Sequence, residues 1–540
     1  MILLGSVVFS LGFGCGSEPF TEKTGTGGGG GGGEASTGGS GSGEGGDGGA
    51  GGLDSGAGGA SGQGGAGEGA CDLDQAPSES ACVVTEALGV FVAADGDDSA
   101  AGTRAAPVKT MQRAVQLADE QSKRVYACTQ TFTGAVEVPS GVEIYGGLDC
   151  KTDWFWQKAK PTSIVASSGV IPVRLLSGPK KTRLVDLRIE AADAVEPGGS
   201  SIAVIAEQGE AEIERSTVQA GKAMNGNAGA DWAMPAASGP NGLAGTDDSC
   251  SFGAAGPIAG GASVANATCP MSIGGKGGDS ANEAYVAGGQ FIPQSDNGRP
   301  GLSGSPGGGL GGKGANASGG CSAGAQGADG LAGSDFAVST SAGWLVSDGW
   351  VGEAGGEGAS GTFGRGGGGG GGGLGCTVSG EVHGNNSGGS GGAGGCGGVG
   401  AKGGRPGGSS IALVSLGATL TVTDSVFAAA SAGNGGAGGA PQAGGFGGSG
   451  GVGKSDGKYG LNPSCYGGQG GNGGAGGGAG GGAGGHSLAV AYFGDAPNEA
   501  GTTQLVGGAA GSGGSGSPGT AATAGSAGVT AATLAFAAPL

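Results

Sequence analysis

Residues 200–229 read SSIAVIAEQGEAEIERSTVQAGKAMNGNAG, and residues 409–438 repeat the pattern as SSIALVSLGATLTVTDSVFAAASAGNGGAG. The two stretches align without a gap, and four pairs show the match: Ile202 with Ile411, Ile213 with Val422, Val218 with Phe427, and Asn225 with Asn434. Repeats at a fixed offset are typical of stacked units that bury their apolar faces against one another. The repeat therefore predicts that the two stretches are parallel layers of one solenoid.

Further copies of the unit occur later in the chain. HSLAVAYFG at 486–494 repeats its opening, and DFAVSTSAGWLVSDGWVG at 335–352 repeats it more weakly. We expect strands to start at four positions: Ile202, Phe336, Ile411 and Leu488. Because glycine tracts separate these starts, the tracts are predicted to be long insertions at one corner of a continuing solenoid.

Ordinary folded sequence begins near residue 71. After a short strand and an Asp- and Gly-rich turn, the pattern predicts a helix from Thr110 to Gln121. Its apolar face carries Met111, Ala114, Val115 and Ala118. Strand-like runs follow at 124–133, 135–138 and 142–146, and short β-rich runs broken by turns continue over 162–220. Within them, LVDLRIEAADA and IERSTVQAGKA align so that Ile189 matches Val218.

This part of the chain resembles the right-handed parallel β-helix proteins of the pectin-lyase-like superfamily. The resemblance is carried by an acidic turn at Asp95–Asp98, the segment Gly102–Pro107, the pair Lys109–Thr110, and GVEIYGGLD at 141–149. It covers about residues 89–220. It implies an all-β fold, namely a right-handed parallel β-helix that begins with a capping helix.

Polysaccharide lyases and hydrolases also use this scaffold, and they need clustered acidic residues with Arg or Lys on one face. The candidates here are Asp186, Arg188, Glu190, Glu212, Glu214 and Arg215. A solvated strand face explains these residues more simply, so we predict no catalytic residue and no enzymatic activity. A carbohydrate-active enzyme or a polysaccharide-binding module is the alternative function.

The tract SGGSGGAGGCGGVGAKGGR at 387–405 keeps a phase of three, and a similar tract occupies 434–452. Three residues per turn is the geometry of the polyproline-II helix, whose backbone groups find no partner within the helix. The tracts resemble polyglycine-II bundles and the Gly-rich tracts of mycobacterial PGRS surface proteins. We expect ordered bundles, in which the in-phase Cys396 has a fixed facing. Glycine supplies 145 of 540 residues, so a flexible linker is the alternative.

The N-terminal residues MILLGSVVFSLGFGC form an apolar run that is too short for a membrane-spanning helix and ends at Cys15. LGFGC resembles a bacterial lipoprotein box, which implies export and lipidation of Cys15. Because Gly16 follows instead of Asp, the resemblance implies the outer membrane; a plain secretory signal is the alternative. Residues 16–70 are almost wholly Gly, Ser, Ala, Glu and Asp and predict a disordered tether.

The remaining ten cysteines form an even set, which predicts disulfides in an exported chain. They are Cys71, Cys82, Cys128, Cys150, Cys250, Cys269, Cys321, Cys376, Cys396 and Cys465. Plausible local pairs are Cys71–Cys82, Cys128–Cys150 and Cys250–Cys269. The spacing leaves the rest of the connectivity open.

Other binding chemistries have weak signals. Asp95, Asp97 and Asp98 offer oxygen ligands for Ca²⁺, but a polar turn explains them more simply. Trp154–Trp156 offers aromatic rings to a sugar, but packing over an end of the β-helix is the favoured interpretation. The histidines, His383 and His486, lie too far apart in sequence to predict a metal site or a triad. We expect no metal and no cofactor.

The net charge of −20 disfavours nucleic acid as a partner, because an acidic surface repels phosphates. Four regions are predicted: a lipoprotein-type signal at 1–15, a tether at 16–70, a parallel β-helix with its capping helix at 71–223, and β-helix rungs interleaved with Gly-rich tracts at 224–540. The expected function is structural or adhesive, at the cell surface. The expected partners are the membrane, through the lipid, and a polysaccharide or another cell surface.

Overall fold

The computed structural model describes residues 71–538 with short gaps. The gaps are 248–256, 281–282, 288–289, 296, 300, 302–306, 316–319, 338–342, 375, 379–380, 384–385 and 455–462. All described residues belong to one unit, Glu68–Leu540. The predicted signal at 1–15, with Cys15, and the predicted tether at 16–70 lie outside the described residues.

The predicted helix is confirmed as α1, Met111–Gln121, which follows a short 3₁₀ turn at Ala81–Val83. Thr110 caps its N-terminus, because the threonine hydroxyl accepts a hydrogen bond from the Arg113 N–H at 3.2 Å. The helix ends at Ser122, whose φ of 53° lies in the left-handed region. The predicted apolar face is buried: Met111, Ala114, Val115 and Ala118.

Three sheets of parallel strands make up most of the remaining regular structure. The first contains, in spatial order, β1 (Gly89–Val92), β2 (Arg124–Cys128), β5 (Glu143–Asp149), β9 (Thr182–Val185), β12 (Glu210–Glu214), β21 (Thr419–Thr423) and β24 (Asn498–Ala500). The short strand β6 (Phe155–Trp156) is antiparallel to β5.

The other two parallel sheets have six strands each. The second contains β3 (Thr131–Thr133), β7 (Thr162–Ala166), β10 (Leu187–Ala191), β13 (Thr217–Gln219), β22 (Val426–Ala428) and β25 (Gln504–Val506). The third contains β4 (Val136–Val138), β8 (Val173–Leu175), β11 (Ser201–Ala206), β20 (Ser410–Leu416), β23 (Ser487–Phe493) and β26 (Thr530–Ala535). From β2 onward the chain visits the first, second and third sheets in a repeating cycle.

The alignment of residues 200–229 with 409–438 is confirmed in all three sheets. Ile202 pairs with Ile411 in the third sheet, Ile213 with Val422 in the first, and Val218 with Phe427 in the second. The shorter repeats are confirmed by two further pairs: Ile189 with Val218, and Ile411 with Leu488. A single offset therefore sets the register of three sheets at once.

The main core lies where the inward-facing side chains of the three sheets meet. Equivalent positions on successive strands carry similar apolar residues, as Leu184, Ile213 and Val422 do in the first sheet. Stacking β-branched and other apolar side chains in columns buries each one against the strands above and below it. Helix α1 packs into the same core at the end that contains β1 and β4.

Phe336 lies in no strand, and none of the described residues of 335–352 joins the third sheet, so the predicted strand start at Phe336 is wrong. The Phe336 N–H donates to the carbonyl of Gly478, which lies in one of the Gly-rich tracts, called glycine segments below. The following residues form an antiparallel hairpin, β16 (Trp344–Val346) and β17 (Gly349–Val351). Leu345 and Trp350 of this hairpin are buried in the cluster that covers the outer face of the third sheet. The weak sequence match arose because a covering hairpin is also apolar.

Two further antiparallel hairpins complete the strands: β14 (Glu283–Ala287) with β15 (Gln290–Gln294), and β18 (Cys376–Val378) with β19 (Glu381–His383). Among the described residues α1 is the one α-helix. The chain is therefore mainly β, with parallel sheets, as the all-β expectation required.

Candidate functional site

The six charged residues that were weighed as catalytic candidates lie on or beside the first and second sheets. Asp186 sits between β9 and β10, and Arg215 occupies the equivalent place between β12 and β13. Arg215 makes a bidentate contact with Asp186: its Nε donates to Oδ1 and its Nη2 donates to Oδ2, each at 3.1 Å. Trp156 Nε1 also donates to Asp186, at 2.9 Å. The carboxylate of Asp186 is thus fully engaged by neighbouring donors.

The other carboxylates of this group are paired with arginine or lysine as well. Glu212 lies 2.7 Å from Lys181 Nζ and 3.0 Å from Arg183 Nε. Glu214 contacts Arg183 Nη2 at 3.2 Å and also pairs with Arg215. On β10, Arg188 pairs with Glu190. The cluster is a ladder of ion pairs between stacked strands, and its side chains hold one another instead of converging on an open cleft.

Asp186, Arg215 and Asp424 share a left-handed backbone conformation, with φ values of 57°, 44° and 48°. They occupy equivalent places where the chain turns from the first sheet to the second. The carboxylate of Asp424 accepts a hydrogen bond from the Thr502 N–H at 2.7 Å, which stabilises the turn at this left-handed residue. The recurring conformation therefore belongs to the corner of the repeat.

The acidic loop considered for Ca²⁺ uses its carboxylates to close turns. Asp98 accepts two hydrogen bonds from Thr110, from its N–H at 2.8 Å and its hydroxyl at 2.9 Å. Asp97 accepts from the backbone and the side chain of Ser99, and these bonds lower the pKa of Asp97. Asp95 accepts a 3.5 Å hydrogen bond from a glutamine amide. The described residues contain no group of three His, Cys, Asp or Glu side chains that could hold a metal.

The aromatic triplet at Trp154–Trp156 does not form a joint platform. Trp154 is buried and meets Phe91 edge-on at 4.8 Å between ring centroids. Phe155 is exposed, and Trp156 lies against Asp186. Burial in the same outer cluster raises the pKa of Tyr145. The triplet mainly packs on the outer face of the first sheet.

The two histidines lie in different environments. His383 is in β19, and its side chain is outside the described set. His486 is buried between Trp350 and Phe536, with ring centroids 5.3 and 5.7 Å away. Its Nδ1 accepts the Val529 N–H at 2.9 Å, which fixes the imidazole as part of the packing.

Four disulfides are present among the described cysteines. Cys71–Cys82 and Cys128–Cys150 confirm two predicted local pairs. The predicted Cys250–Cys269 pair is wrong, because Cys269 is bonded to Cys396, 127 residues away. The fourth bond joins Cys321 to Cys465 across 144 residues. Cys250 and the side chain of Cys376 are outside the described residues. The long-range bonds join glycine segments that fold back on each other, which sequence proximity does not reveal.

The glycine segments hydrogen-bond to one another at three-residue steps. Within residues 387–408, three successive N–H groups reach three different segments: Ser390 donates to Leu243 at 2.9 Å, Gly391 to Gly275 at 2.8 Å, and Gly392 to Gly468 at 3.0 Å. The next three residues repeat the pattern, with Ala393 donating to Pro240, Gly394 to the Ser272 hydroxyl, and Gly395 to Gly471. The period of three in the sequence is thus the period of these contacts.

Close approach of the segments explains why glycine dominates them. A Cβ added at Gly392 would lie 2.0 Å from the carbonyl oxygen of Gly448, and one at Gly395 would lie 1.9 Å from that of Gly445. The Cα hydrogens therefore point at neighbouring carbonyls in the geometry of weak Cα–H···O contacts. Any larger residue at these positions must push two backbones apart.

Asn and Asp side chains cap N–H groups at the outer segments. Each of five side-chain oxygens accepts a backbone N–H of the adjacent segment: Asn225 from Asn434, Asp231 from Ala440, Asn241 from Ser449, Asp329 from Asn472, and Asp335 from Gly478. Donor–acceptor distances run from 2.6 to 2.9 Å. These caps supply partners that a further segment would otherwise provide.

A ladder of hydroxyl groups joins the third sheet to the glycine segments. Ser201, Ser410, Ser487 and Thr530 each donate to one carbonyl and accept one N–H where the chain leaves or enters a segment. Ser410, for example, donates to Gly221 at 2.8 Å and accepts from Ala430 at 2.9 Å. These hydrogen bonds fix the glycine segments in the same register as the strands of the third sheet.

The in-phase residues of 387–405 change their surroundings along the tract. Ser387, Ser390 and Ala393 are buried, and Cys396 is buried with its disulfide to Cys269. Val399, Lys402 and Arg405 are exposed. The change occurs where residues 257–280, which cover the first part of the tract, end their contact with it.

A groove of about 460 Å³ lies above the exposed part of this tract. Its walls are residues 227–230, 354–357 and 402–405. Lys402 Nζ spans to both Glu357 carboxylate oxygens at 2.9 Å. Among the described residues the Arg405 guanidinium has no hydrogen bond or ion pair. Exposed Trp232 stands beside the groove, with its Nε1 donating to the Gly400 carbonyl at 3.3 Å.

Sequence reasoning missed the capping residues and the groove. The polar in-phase residues of the tracts, such as Asn434 and Asn472, were a visible signal for the caps. The groove had no comparable signal, because 387–396 and 399–405 look alike in sequence and differ only in what covers them.

Within the described ranges, no helix is long and apolar enough to cross a membrane. Comparison with protein-family models, with curated proteins and with solved structures finds no match to this chain.

Proposed function

We propose that the chain is a right-handed parallel β-helix whose rungs carry polyglycine-II-like insertions. Two observations support this fold: the cyclic order in which the chain visits three parallel sheets, and the offset of 209 residues shared by sheets and glycine segments. In a solenoid each coil rests on the preceding one, so an insertion leaves and re-enters at one corner. Successive insertions then lie side by side and share hydrogen bonds.

The function that this architecture supports best is structural or adhesive, at a cell surface. The observation that carries the proposal is the network of glycine segments, tied by disulfides over 127 and 144 residues. Such a network presents a surface on which backbone groups recur every three residues. Disulfides persist in oxidising compartments, which agrees with export.

The protein is held at the outer membrane through a lipid on Cys15, with residues 16–70 as the tether. This part of the proposal rests on the sequence LGFGC and on the composition of residues 16–70. Replacement Cys15→Ala tests it directly. Labelled fatty acid should enter the wild-type chain and not the variant, and the variant should leave the membrane fraction. Lipid incorporation at an unchanged level in Cys15→Ala would contradict the anchor.

An adhesion assay tests the surface role. Beads coated with the full-length oxidised protein should attach to cells or immobilised polysaccharide more strongly than beads coated with protein reduced and alkylated at its cysteines. Equal attachment of both preparations would contradict the role of the glycine network. The competing enzymatic role is tested on the same polysaccharides. Cleavage by the wild type that is lost in both Asp186→Ala and Glu214→Ala would replace the adhesive proposal by a catalytic one.

A further inference from the structure

The groove beside residues 402–405 lies on the continuation of a row that another part of the chain fills. Over the first half of the tract, residues 257–280 lie against 387–396 and 364–370. Three N–H groups of the tract donate to this covering segment: Gly388 to Gly278, Gly391 to Gly275, and Gly394 to the Ser272 hydroxyl, at 2.9, 2.8 and 2.7 Å. Beyond Cys396 the covering segment stops and the groove begins.

The opposite wall of the row shows the same division. In the covered half, the carbonyls of Gly370, Gly367 and Gly364 accept from Gly278 N–H, Gly275 N–H and the Ser272 hydroxyl, at 2.8, 2.8 and 2.7 Å. The covering segment thus bonds to both walls at three-residue steps. Its sequence at 274–279 is GGKGGD.

Past Cys396 the same row continues into the groove, and there the equivalent groups of both sides make no hydrogen bond among the described residues. The donors are the N–H groups of Gly397, Gly400 and Gly403, and the acceptors are the carbonyls of Gly355, Gly358 and Gly361. Among the described residues none of these six groups makes a hydrogen bond. Gly400 is buried, so its free N–H carries a desolvation cost. The uncovered row, which reaches the groove at Gly355 and Gly403, therefore offers both donors and acceptors at a repeat of three residues.

The covered half also defines the side chains that fit. A Cβ at Gly274 would lie 2.0 Å from the Gly391 carbonyl, and one at Gly277 would lie 2.0 Å from the Gly388 carbonyl. Because the walls continue with the same glycine repeat, an occupant of the groove needs glycine at the positions that face them. Larger side chains fit at every third position of the occupant, as Lys276 and Asp279 do in the covering segment.

The basic residues of the groove favour an acidic residue at the third position of an occupant's Gly-Gly-X repeat. Lys402 and Arg405 line one wall of the groove, although the chain as a whole carries a net charge of −20. The Lys402–Glu357 pair is exposed, at 46% and 62% of the side-chain surfaces, so opening it costs little. Arg405 makes no ion pair within the described part of the chain. A carboxylate carried by the occupant would satisfy it.

We propose that this groove binds an extended Gly-Gly-X segment of a second polypeptide in which X is acidic. Binding extends the glycine network by one more row, as an added strand extends a sheet edge. The inference rests on the proposed adhesive function and deepens it by naming a class of partner, while its direct test concerns the groove alone. An acidic polysaccharide would meet the same basic residues but could not repeat the N–H and C=O pattern.

Binding of synthetic peptides to the purified full-length protein tests the proposal. A fluorescent peptide of several Gly-Gly-Glu repeats is the probe, with Gly-Gly-Lys repeats and Ala-Ala-Glu repeats as matched controls. We expect saturable binding of the Gly-Gly-Glu peptide, and at least about tenfold weaker binding of both controls, because one repels Arg405 and the other collides with the walls. Equal binding of the Ala-Ala-Glu peptide would overturn the proposal.

Two variants locate the site. Ala228→Trp fills the groove from its exposed wall and should abolish binding, whereas Ala443→Trp, at an exposed position outside the groove, should leave it unchanged. Arg405→Glu should weaken the Gly-Gly-Glu peptide about tenfold and improve the Gly-Gly-Lys peptide. Circular dichroism melting curves identify any variant that fails to fold. If Ala228→Trp fails to fold, Arg405→Glu, at an exposed position in the groove wall, provides the test alone.

The outcomes separate this inference from the adhesive proposal. No binding of the Gly-Gly-Glu peptide, with bead adhesion intact, sinks the groove inference and leaves the adhesive function standing. Binding of an oligogalacturonate that Ala228→Trp abolishes, without peptide binding, assigns the groove to an acidic glycan and overturns the peptide proposal. Peptide binding that Ala228→Trp abolishes supports it, whether or not the beads adhere.

Discussion

The strands and the glycine segments share one sequence offset, 209 residues, between contacting layers, but different atoms hold the two regions together. Val218 and Phe427 pair across the second sheet, and seven residues further along each stretch the side chain of Asn225 accepts the N–H of Asn434. In the sheets, apolar side chains fill the interior. In the segments, backbones in direct contact make up most of the interior, with a few small side chains such as Ser390 and Ala393 buried among them. The comparison shows that a repeat can stay in register while its source of stability changes from side-chain burial to backbone contact.

Cross-links should matter more in the glycine segments than beside the sheets. The double replacement Cys269→Ser and Cys396→Ser opens a loop of 127 residues, and loop-closure entropy predicts a loss of about 5 kcal/mol in the free energy of unfolding. The control, Cys71→Ser with Cys82→Ser, opens a separation of 11 residues and should lose about 3 kcal/mol. Urea unfolding measures both. A larger loss from the control would reverse the comparison.

Side-chain truncation should distinguish the two regions in the opposite sense. Phe427→Ala removes a fully buried ring from the sheet core and should cost about 3–5 kcal/mol, because the surrounding side chains cannot close the cavity. Phe446→Ala, at a position 68% exposed in a glycine segment, should change stability by no more than about 0.5 kcal/mol. Thermal melting of both variants gives the answer, and similar costs would show that the segment also depends on side-chain burial.

Adding a methyl group should harm the glycine segments through backbone separation. Gly395→Ala places a Cβ against the Gly445 carbonyl and should cost about 1–3 kcal/mol. Gly320→Ala is the matched control, because a Cβ there meets nothing within 4 Å. Amide exchange should accelerate in 387–408 and 433–453 for Gly395→Ala, with the sheet amides unaffected. Unchanged exchange in those segments would refute the close-packing argument.

The capping side chains should contribute through their acceptor oxygen atoms. Asn434→Ala removes the acceptor for the Ser512 N–H and should cost about 1 kcal/mol. Asn434→Asp keeps an oxygen at the same place and should retain most of the stability, as Asp231 and Asp335 do at similar positions. Exchange of the Ser512 amide reports the cap locally. Equal protection in Asn434→Ala and the wild type would exclude the capping role.

Acid sensitivity should be the smallest of these effects. A hydrogen bond from the Thr502 N–H lowers the pKa of the exposed Asp424 below its ordinary value of 3.8. A carboxyl group with a lowered folded-state pKa stabilises the fold above pH 3.8 and loses this contribution as the pH falls through the folded value. Asp424→Asn should therefore flatten the acid limb of the stability profile slightly. A steeper limb in the variant would contradict this sign.

Side-chain patterns predicted the sheets well. Ile202, Ile213 and Val218 repeat as Ile411, Val422 and Phe427, and these residues pair in three sheets. The same reasoning failed at Phe336, where an apolar covering hairpin resembled a strand. It also failed at Cys269, because the distance to Cys250 in sequence says nothing about how 257–280 folds back. The candidate groove could not be predicted, since its walls repeat the same glycine pattern as the filled row.

The sequence by itself determined the parallel register and the period of three. Register follows from apolar residues that recur at fixed offsets, and the period follows from glycine at the positions where backbones meet. Only the tertiary structure decided which segments are neighbours, which cysteines join, and that the covering segment ends at Cys396. The physical reason is that every glycine backbone offers the same N–H and C=O groups. Which segments pair is therefore determined by the positions at which the strands of the sheets begin and end.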